Sequence, residues 1–441
     1  MTAVELARAL RSREISATKV TEAALRRTHE LNPTLNAFAL IDDEGALAAA
    51  RVADEQLAAG IDLGPLHGVP VAVKDLIDMA GLPTSCGSAT SFGAIACDDA
   101  EVVRRLRDAG AVIIGKTTLH EFAYGATGDR SVHGASRNPH DPSRMSGGSS
   151  GGSAVAVAAG MVSLALGTDT AGSVRVPAAL CGVVGLKPAY DVVPSAGVYP
   201  LAPTLDHVGL FAATSEDALL GYQAISDRPA FVGSDRLSVG WIPPDAIAVT
   251  DPRVEELTRR VVAGAGFDVE VVRGFPKGDR ALFEVFSTLQ SREAFLVHEH
   301  HLAADHDLID PEVRARLHKG GEVTDRLYAQ ADEVRHELTV MVDELLAAYD
   351  VLALPAVPIV APVIGGRRVT VAGAELEVRQ ALLSLTCLWN MTGSPAISVP
   401  AGRVDGLPVA VQLISAPGNE HLLFEAARAL EITQQPAGQA G

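Results

Sequence analysis

The feature that most constrains the fold is a run of glycine and serine that leads directly into an apolar stretch. Met145–Ser153 holds four glycines and four serines in nine residues, and Ala154–Ala159 follows without a break. A flexible linker joins domains through solvent, whereas the apolar continuation of this run requires burial. We therefore expect a tightly packed main chain in which several hydroxyl and N–H groups converge on one point.

The same run contains Gly-x-Ser-x-Gly with Ser149 at its centre, the pattern of the nucleophile elbow in α/β-hydrolases. An elbow requires a strand immediately before the motif. The preceding segment, Arg137–Arg144, contains two prolines and is typical of a loop. The sequence therefore argues against a Ser-His-Asp hydrolase.

Two further segments place polar groups next to apolar strands. Gly167–Pro177 follows a predicted strand, and its small residues let consecutive N–H groups surround a ligand oxygen, with Ser173 directed to the same point. Lys74 lies at the end of the apolar run that begins at Val71. Burial lowers the pKa of a lysine, and only the neutral amine accepts a proton from a serine. Taken alone, an ordinary Gly-Ser turn and a structural pair of Lys74 with Asp75 remain open.

Together, the three segments resemble the amidase signature enzymes, which carry a Ser-Ser-Lys triad. The matching runs are Gly-Gly-Ser-Ser-Gly-Gly-Ser at 147–153, Gly-Thr-Asp-Thr-x-Gly-Ser-x-Arg-x-Pro at 167–177 and the tail at 181–188. The spacing also matches, because Lys74 precedes Ser149 by 75 residues and Ser149 precedes Ser173 by 24. The likeness covers essentially the whole chain.

This resemblance implies a role for each residue of the three segments. It makes Ser173 the nucleophile, Ser149 the bridge that relays its proton, and Lys74 the base. It also implies a cis peptide bond before Ser149 and an oxyanion hole of main-chain N–H groups. The implied oxyanion donors are Thr170, Ala171, Gly172 and Ser173, and the supporting residues are Gly148, Ser150, Asp169 and Arg175. For Arg175, bracing of the loop is favoured over a clamp on a substrate carboxylate.

Alternating strands and helices predict an α/β fold with a single domain over residues 1–441. We expect a mixed, mostly parallel, twisted sheet covered by helices on both faces, the amidase signature fold that the resemblance implies. The segment 281–348 is predicted to be helical and to cover the sheet. One helix is predicted over Glu377–Met391, and a helix is predicted to start within Thr117–Ala123.

Charge and composition exclude several classes of function. The net charge of −18 repels a phosphate backbone, so we expect no direct binding of nucleic acid. The N-terminus shows no uninterrupted apolar segment of a signal peptide. The most apolar stretch, Ala154–Leu166, is shorter than the roughly 20 residues of a membrane helix. We therefore expect a cytoplasmic protein that binds no membrane and whose four scattered cysteines are reduced.

Two motifs resemble cofactor sites but lack the required context. Gly110–Thr117 fits the phosphate-loop pattern, yet its four variable positions form a predicted buried strand that follows a helix. His298–His301 fails the His-Glu-x-x-His spacing of a zinc helix because residue 302 is leucine, so we expect a helix surface there. The predicted mechanism requires no metal and no organic cofactor.

The resemblance implies an amidohydrolase that cleaves a small-molecule carboxylic amide through an acyl-enzyme on Ser173. The alternative is the amide-hydrolysing subunit of a tRNA-dependent amidotransferase, which has the same motifs and works with partner proteins. The chain is somewhat short for that role. The sequence leaves open the identity of the amide and the formation of a homodimer. Trp389 is predicted to pack in the core rather than to line the acyl pocket.

Overall fold

An eleven-stranded mixed sheet with helices packed against it organises the chain. The computed structural model describes residues 1–90, 94–228, 236–273, 275 and 279–434. The strands in this part are β1 (Phe38–Ile41), β2 (Pro70–Lys74), β3 (Val112–Thr117), β4 (Arg137–Asn138), β5 (Asp141–Met145), β6 (Leu164–Asp169), β7 (Val184–Lys187), β8 (His207–Ala212), β9 (Ser238–Trp241), β10 (Asp268–Val271), β11 (Val351–Pro355), β12 (Arg368–Val371), β13 (Ala374–Glu377), β14 (Ala396–Val404) and β15 (Leu407–Ile414).

The helices lie mostly between strands in the sequence. They are α1 (Ala3–Arg11), α2 (Ala17–Leu35), α3 (Asp43–Ala58), α4 (Glu101–Asp108), α5 (Gly151–Ala158), α6 (Arg175–Cys181), α7 (Ser215–Ile225), α8 (Pro252–Gly264), α9 (Asp279–Ala304), α10 (Pro311–Gly321), α11 (Asp325–Ala348), α12 (Val378–Leu383), α13 (Leu388–Met391) and α14 (Glu420–Gln434). None of these helices has both the length and the apolar character of a membrane span.

The order of the strands in the sheet is β1-β3-β2-β6-β8-β7-β14-β15-β11-β9-β10. Neighbouring strands are parallel at β3-β2-β6 and at β11-β9-β10. Between β6 and β11, and at β1-β3, they are antiparallel. The mixed α/β sheet is confirmed, and its parallel part lies in two flanks. The centre is antiparallel because the β14-β15 hairpin and the loop from β7 to β8 return the chain without a crossover helix.

The helical segments agree with the sequence with two exceptions. Residues 281–348 are helical as predicted, in α9, α10 and α11. The single helix predicted over Glu377–Met391 is wrong: α12 and α13 flank a turn that lets the Thr386 hydroxyl bond to another loop. The helix expected to start within Thr117–Ala123 is only a 3₁₀ turn. There the N–H of Glu121 donates to the main-chain carbonyl of Arg130, and the N–H of Phe122 donates to the main-chain carbonyl of Cys86. These bonds replace those that would continue a helix.

Parallel pairing of β2 with β6 sets the position of the polar segments. Val71 is aligned with Leu164 and Ala72 with Ala165, so both strands end at the same edge of the sheet. Lys74 is the last residue of β2, and Asp169 is the last residue of β6. The Gly/Ser run leads into α5, which packs against β6 and β2. All three segments singled out in the sequence therefore lie at this edge of the sheet.

Most of the phosphate-loop pattern at Gly110–Thr117 lies in strand β3, Val112–Thr117, as its apolar residues predicted. Lys116 is buried within it and pairs with the Oδ1 of Asp75 at 2.8 Å. Its ammonium also donates to the main-chain oxygen of Pro83 and to the hydroxyl of Thr84, both at 2.7 Å. These contacts make Lys116 a structural residue that holds the carboxylate next to Lys74.

Replacing Lys116 with methionine should strongly destabilise the fold. The change leaves the carboxylate of Asp75 buried and unpaired, which costs about 3–5 kcal/mol of unfolding free energy. Urea denaturation measures this loss. The matched control is Lys319→Met at an exposed position of α10, which should change the free energy of unfolding by less than about 0.5 kcal/mol. Equal stability of the two variants would contradict the role given to Lys116.

Candidate active site

The amine of Lys74 contacts two hydroxyl groups at the edge of the sheet. Its Nζ donates to the Oγ of Ser149 at 2.8 Å and to the Oγ1 of Thr168 at 2.8 Å. Lys74 and Ser149 have no solvent exposure, and Thr168 is 5% exposed. The structure thus joins Lys74 to Ser149 by a direct hydrogen bond, although 75 residues separate them in the sequence.

Burial controls the charge of this amine. Burial lowers the pKa of Lys74 to about 7, against the opposing attraction of the carboxylates of Asp169 and Asp206. No carboxylate of the described residues lies within ion-pair distance of Nζ, so the amine is not held in its charged form by a direct partner. Near neutral pH it is therefore partly uncharged and able to accept a proton.

The main chain around Ser149 packs more closely than a side chain would allow. The Gly148–Ser149 peptide bond is cis, as expected. A Cβ on Gly148 would lie 2.6 Å from the nitrogen of Gly128, so a larger residue does not fit. The carbonyl of Ser149 accepts from the N–H of His120 at 3.0 Å. The close packing and the bond from His120 fix the position of the main chain that carries Ser149.

Ser150 connects the two loops of the site. Its N–H donates to the main-chain carbonyl of Ser173 at 3.3 Å. Its hydroxyl donates to the carbonyl of Thr168 at 3.0 Å and accepts from the N–H of the same residue at 3.2 Å. Ser173 is 5% exposed. No hydrogen bond joins the hydroxyls of Ser149 and Ser173 in the described part of the chain, and the bonds of Ser150 hold their two segments together.

A buried ion pair organises the loop that carries Ser173. The Nη2 of Arg175 contacts the Oδ1 of Asp169 at 2.8 Å, and both side chains have no exposure. Burial alone would raise the pKa of Asp169, but the guanidinium of Arg175 outweighs it and holds that pKa well below its usual range. Arg175 also donates to the side-chain oxygens of Asn390 and Gln412, each at 2.6 Å. Arg175 therefore braces the loop, the role favoured from the sequence.

The carboxylate of Asp169 shapes the same loop through its N–H groups. It accepts from the N–H of Gly172 at 2.7 Å and from that of Val174 at 3.1 Å. The Thr386 hydroxyl donates to the carbonyl of Ala171. A Cβ on Gly172 would lie 2.3 Å from the Oγ1 of Thr386. The Gly172 N–H is thus already engaged, which distinguishes it from the other main-chain donors expected around Ser173.

A cavity of about 100 Å³ is lined in part by Thr168, whose hydroxyl accepts from Lys74. Thr168, Thr170, Tyr190, Tyr199 and Asp206 are among its lining residues. Burial raises the pKa of Asp206 to about 6, while the hydroxyl of Thr170 donates to that carboxylate at 2.6 Å and opposes the rise. The cavity offers polar groups and space for a small ligand, and Thr168 connects it to Lys74.

The sequence did not identify several residues of this site as functional. They are Thr168, Asp206, Thr386, Asn390 and Gln412. Only Thr168 carries a local signal, because it lies between a strand and the Ser173 loop in the predicted motif. The others are distant in sequence, and their roles arise from contacts that no spacing reveals.

The His298–His301 segment lies in α9, and its expected surface position is wrong for His298. That residue has no exposure, because its ring packs against Phe122 at a centroid distance of 4.4 Å and against Tyr199 at 5.5 Å. Within the residues that the structure describes, no three His, Cys, Asp or Glu side chains are grouped as a metal site. Trp389 is buried as predicted and donates its Nε1 hydrogen to the carbonyl of Leu385 at 3.0 Å.

The chain matches the family model described as Amidase over residues 19–424. It is 36% identical to a glutamyl-tRNA(Gln) amidotransferase subunit of Acidothermus cellulolyticus (strain ATCC 43068 / DSM 8971 / 11B), with 98% of this chain and 94% of that protein covered. It is 35% identical to the AtzE subunit of 1-carboxybiuret hydrolase from Pseudomonas sp. (strain ADP), with 98% of each covered.

Solved structures share the same fold over nearly the whole chain. A crystallised amidase superposes with a TM-score of 0.92 at 33% identity, covering 98% of this chain and 99% of that one. The native peptide amidase from Stenotrophomonas maltophilia has a TM-score of 0.81 at 29% identity, covering 98% of this chain and 96% of that one.

Replacing Thr386 with valine should destabilise the loop that carries Ser173. The change keeps the size of the side chain but leaves the buried carbonyl of Ala171 without its donor, at a cost of about 1–3 kcal/mol. The free energy of unfolding in urea measures this effect. Thr370→Val, on an exposed position of β12, is the matched control and should stay within about 0.5 kcal/mol. If Thr386→Val is as stable as the control, the hydroxyl of Thr386 does not stabilise the loop that carries Ser173.

Proposed function

The chain belongs to the amidase family and hydrolyses carbon–nitrogen amide bonds, and on that premise we propose that Lys74, Ser149 and Ser173 carry out the reaction on a small-molecule amide. Ser173 is the nucleophile, Ser149 relays its proton and Lys74 is the base. The single observation that supports this assignment best is the 2.8 Å hydrogen bond between the buried amine of Lys74 and the hydroxyl of Ser149. This contact gives Ser149 a base within the distance of a direct proton transfer.

The first step is attack of the Ser173 Oγ on the amide carbonyl carbon. The proton of Ser173 passes to Ser149, whose own proton passes to the neutral amine of Lys74. The C–N bond of the tetrahedral intermediate then breaks, and the same relay returns a proton to the leaving nitrogen. The products of this half-reaction are ammonia or an amine and an ester on Ser173.

Main-chain N–H groups stabilise the oxyanion of the tetrahedral intermediate. We assign this role to Thr170, Ala171 and Ser173, because the N–H of Gly172 donates to Asp169 at 2.7 Å. The bond from Thr386 to the carbonyl of Ala171 fixes the peptide group between Ala171 and Gly172, whose N–H donates to Asp169. The loop that carries the assigned donors is thus held in place before charge develops.

Water completes the cycle. It attacks the ester carbonyl while the Ser149 and Lys74 relay accepts its proton, the Ser173 oxygen leaves with a returned proton, and the carboxylic acid is released. The residues named here supply the base, the relay and the oxyanion donors. The mechanism is written without a metal or organic cofactor.

A second candidate function is the amide-hydrolysing subunit of a tRNA-dependent amidotransferase. The 36% identity to the glutamyl-tRNA(Gln) amidotransferase protein of Acidothermus cellulolyticus favours it, and the match covers 94% of that protein. The argument from chain length therefore does not separate the two functions. The free-standing amidase stays the first proposal, with a cytoplasmic location and a homodimer as predictions from the sequence.

The purified chain alone should release ammonia from simple amides. Ser173→Ala removes the nucleophile, and Lys74→Met removes the base while keeping the length of the side chain. Each change should lower kcat by about 10³-fold or more. A coupled ammonia assay measures turnover, and circular dichroism confirms folding. Full activity of Lys74→Met would overturn the assignment, whereas glutaminase activity that appears only with partner proteins would favour the second candidate.

The pH dependence of kcat/KM should report the titration of Lys74. The protonated amine cannot accept a proton, so kcat/KM should fall tenfold per pH unit below a midpoint near 7 and stay level above it. Burial also raises the pKa of Glu121 to about 7, so Glu121→Gln serves as the control. The midpoint should persist in this variant. Its disappearance would assign the titration to Glu121 instead.

A further inference from the structure

Two exposed histidines meet at the connection between α9 and α10. His306 lies in the 3₁₀ turn His306–Leu308, and His318 lies in the last turn of α10. The Nε2 atoms of the two rings are 3.4 Å apart, and the ring centroids are 5.5 Å apart. Both residues are exposed to solvent. A dissolved ion can therefore reach the two nitrogens without any opening of the core.

The separation of the two nitrogens matches one coordination geometry. Zinc binds imidazole nitrogen at about 2.0–2.1 Å, usually in a tetrahedral shell. Two ligands of such a shell lie about 3.3–3.4 Å apart, whereas neighbouring ligands of a square-planar or octahedral shell lie about 2.8–3.0 Å apart. The observed separation of 3.4 Å agrees with the tetrahedral value. Zinc therefore fits between the two rings with little movement of either side chain.

A carboxylate favours the form of one ring that binds a metal. The Nδ1 of His306 lies 3.0 Å from the Oδ1 of Asp307. In this contact Nδ1 donates its hydrogen to the carboxylate, so Nε2 is the nitrogen that keeps a lone pair. Histidines that bind metals typically donate their other ring N–H to a carboxylate or a carbonyl in this way. Asp307 thus gives His306 the outer partner of a metal ligand.

The charged side chains near the pair are compatible with a bound cation. The Nη1 of Arg314 lies on the Nδ1 side of His306, 3.5 Å from that nitrogen and 3.5 Å from the Oδ1 of Asp307, which compensates part of its charge. Lys319 follows His318 and is exposed, so water screens its ammonium. Arg314 also donates to the main-chain carbonyl of His306 at 2.9 Å. This bond ties the 3₁₀ turn to α10 and keeps the two rings together.

We propose that His306 and His318 bind a zinc ion through their Nε2 atoms, with Asp307 as the outer partner of His306. No third His, Cys, Asp or Glu side chain of the described ranges is grouped with the two rings as a ligand, so water molecules complete the shell. The ion joins the 3₁₀ turn to the last turn of α10 and stabilises the connection between α9 and α10. None of the three residues belongs to the proposed catalytic site, so this inference is independent of the amide reaction.

Zinc affinity is measured by competition with a fluorescent zinc indicator, on the purified chain after dialysis against a chelator. The wild-type chain should bind zinc. His306→Gln and His318→Gln should each bind it at least about tenfold more weakly, because loss of a ligand costs no less than the loss of an outer partner. Both positions are exposed, so the variants should unfold in urea without zinc as the wild type does.

His336→Gln provides the matched control. The side chain of His336 is 72% exposed on α11, and its Nδ1 contacts the main-chain oxygen of Asp332 at 2.7 Å. Its replacement should leave the zinc affinity unchanged. Equal affinities in His318→Gln and His336→Gln would overturn the inference. So would a wild-type chain that does not compete with the indicator.

The outer partner is tested by a double-mutant cycle. Asp307→Ala should weaken zinc binding about tenfold, the low end of the usual range, because its side chain is 95% exposed. In the His306→Gln background the same change should have no further effect, since the ring that Asp307 contacts is gone. An equal loss in both backgrounds would show that Asp307 does not act through His306.

Cobalt(II) in place of zinc reports the geometry of the shell. A tetrahedral cobalt site gives intense visible d–d bands, whereas an octahedral site gives weak ones. The wild-type chain should show the intense bands, and His318→Gln should lose them. A weak octahedral spectrum in the wild-type chain would overturn the tetrahedral site inferred from the separation of the two nitrogens.

Discussion

A lysine amine buried without an ion-pair partner in the described part of the chain is the constraint on which the rest of the site depends. Burying an ammonium costs several kcal/mol, and a carboxylate in contact with it would stabilise the charged form. The fold resolves this by giving each nearby carboxylate another partner. Lys116 binds Asp75, Arg175 binds Asp169, and Asp206 accepts from the Thr170 hydroxyl and from two main-chain N–H groups. Lys74 is left with hydroxyl contacts, and its pKa falls near neutrality.

The ion pair of Asp169 with Arg175 connects the end of strand β6 to the loop of Ser173. Asp169 is the last residue of β6, and its carboxylate accepts two N–H groups of the loop that follows. Arg175 also donates to Asn390 and Gln412, which lie in the last part of the sequence. The geometry around Ser173 therefore depends on residues that are more than 200 positions away.

The sequence predicted the residues of the site better than their supporting contacts. Ser149 and Ser173 lie in dense local motifs whose glycines predicted close main-chain packing, and Lys74 lies at the end of a predicted apolar strand. Thr386 lies in no such motif and Asn390 only in the wider family likeness, because their partners are in another segment and only tertiary contacts define their roles. The strand pairing was also predicted only in part. Alternation of strands and helices correctly predicted the parallel pairs β3-β2-β6 and β11-β9-β10. The antiparallel pairs in the centre depend on how loops return the chain, which the periodicity of the sequence does not encode.

Buried contacts fix the three residues of the proposed site. Lys74 is the last residue of β2, the main chain before Ser149 is closely packed, and the loop of Ser173 is held by the pair of Asp169 with Arg175. A substitution of Arg175 or Thr386 leaves a buried charge or carbonyl unpaired. The geometry of the site therefore changes only together with the core that surrounds it.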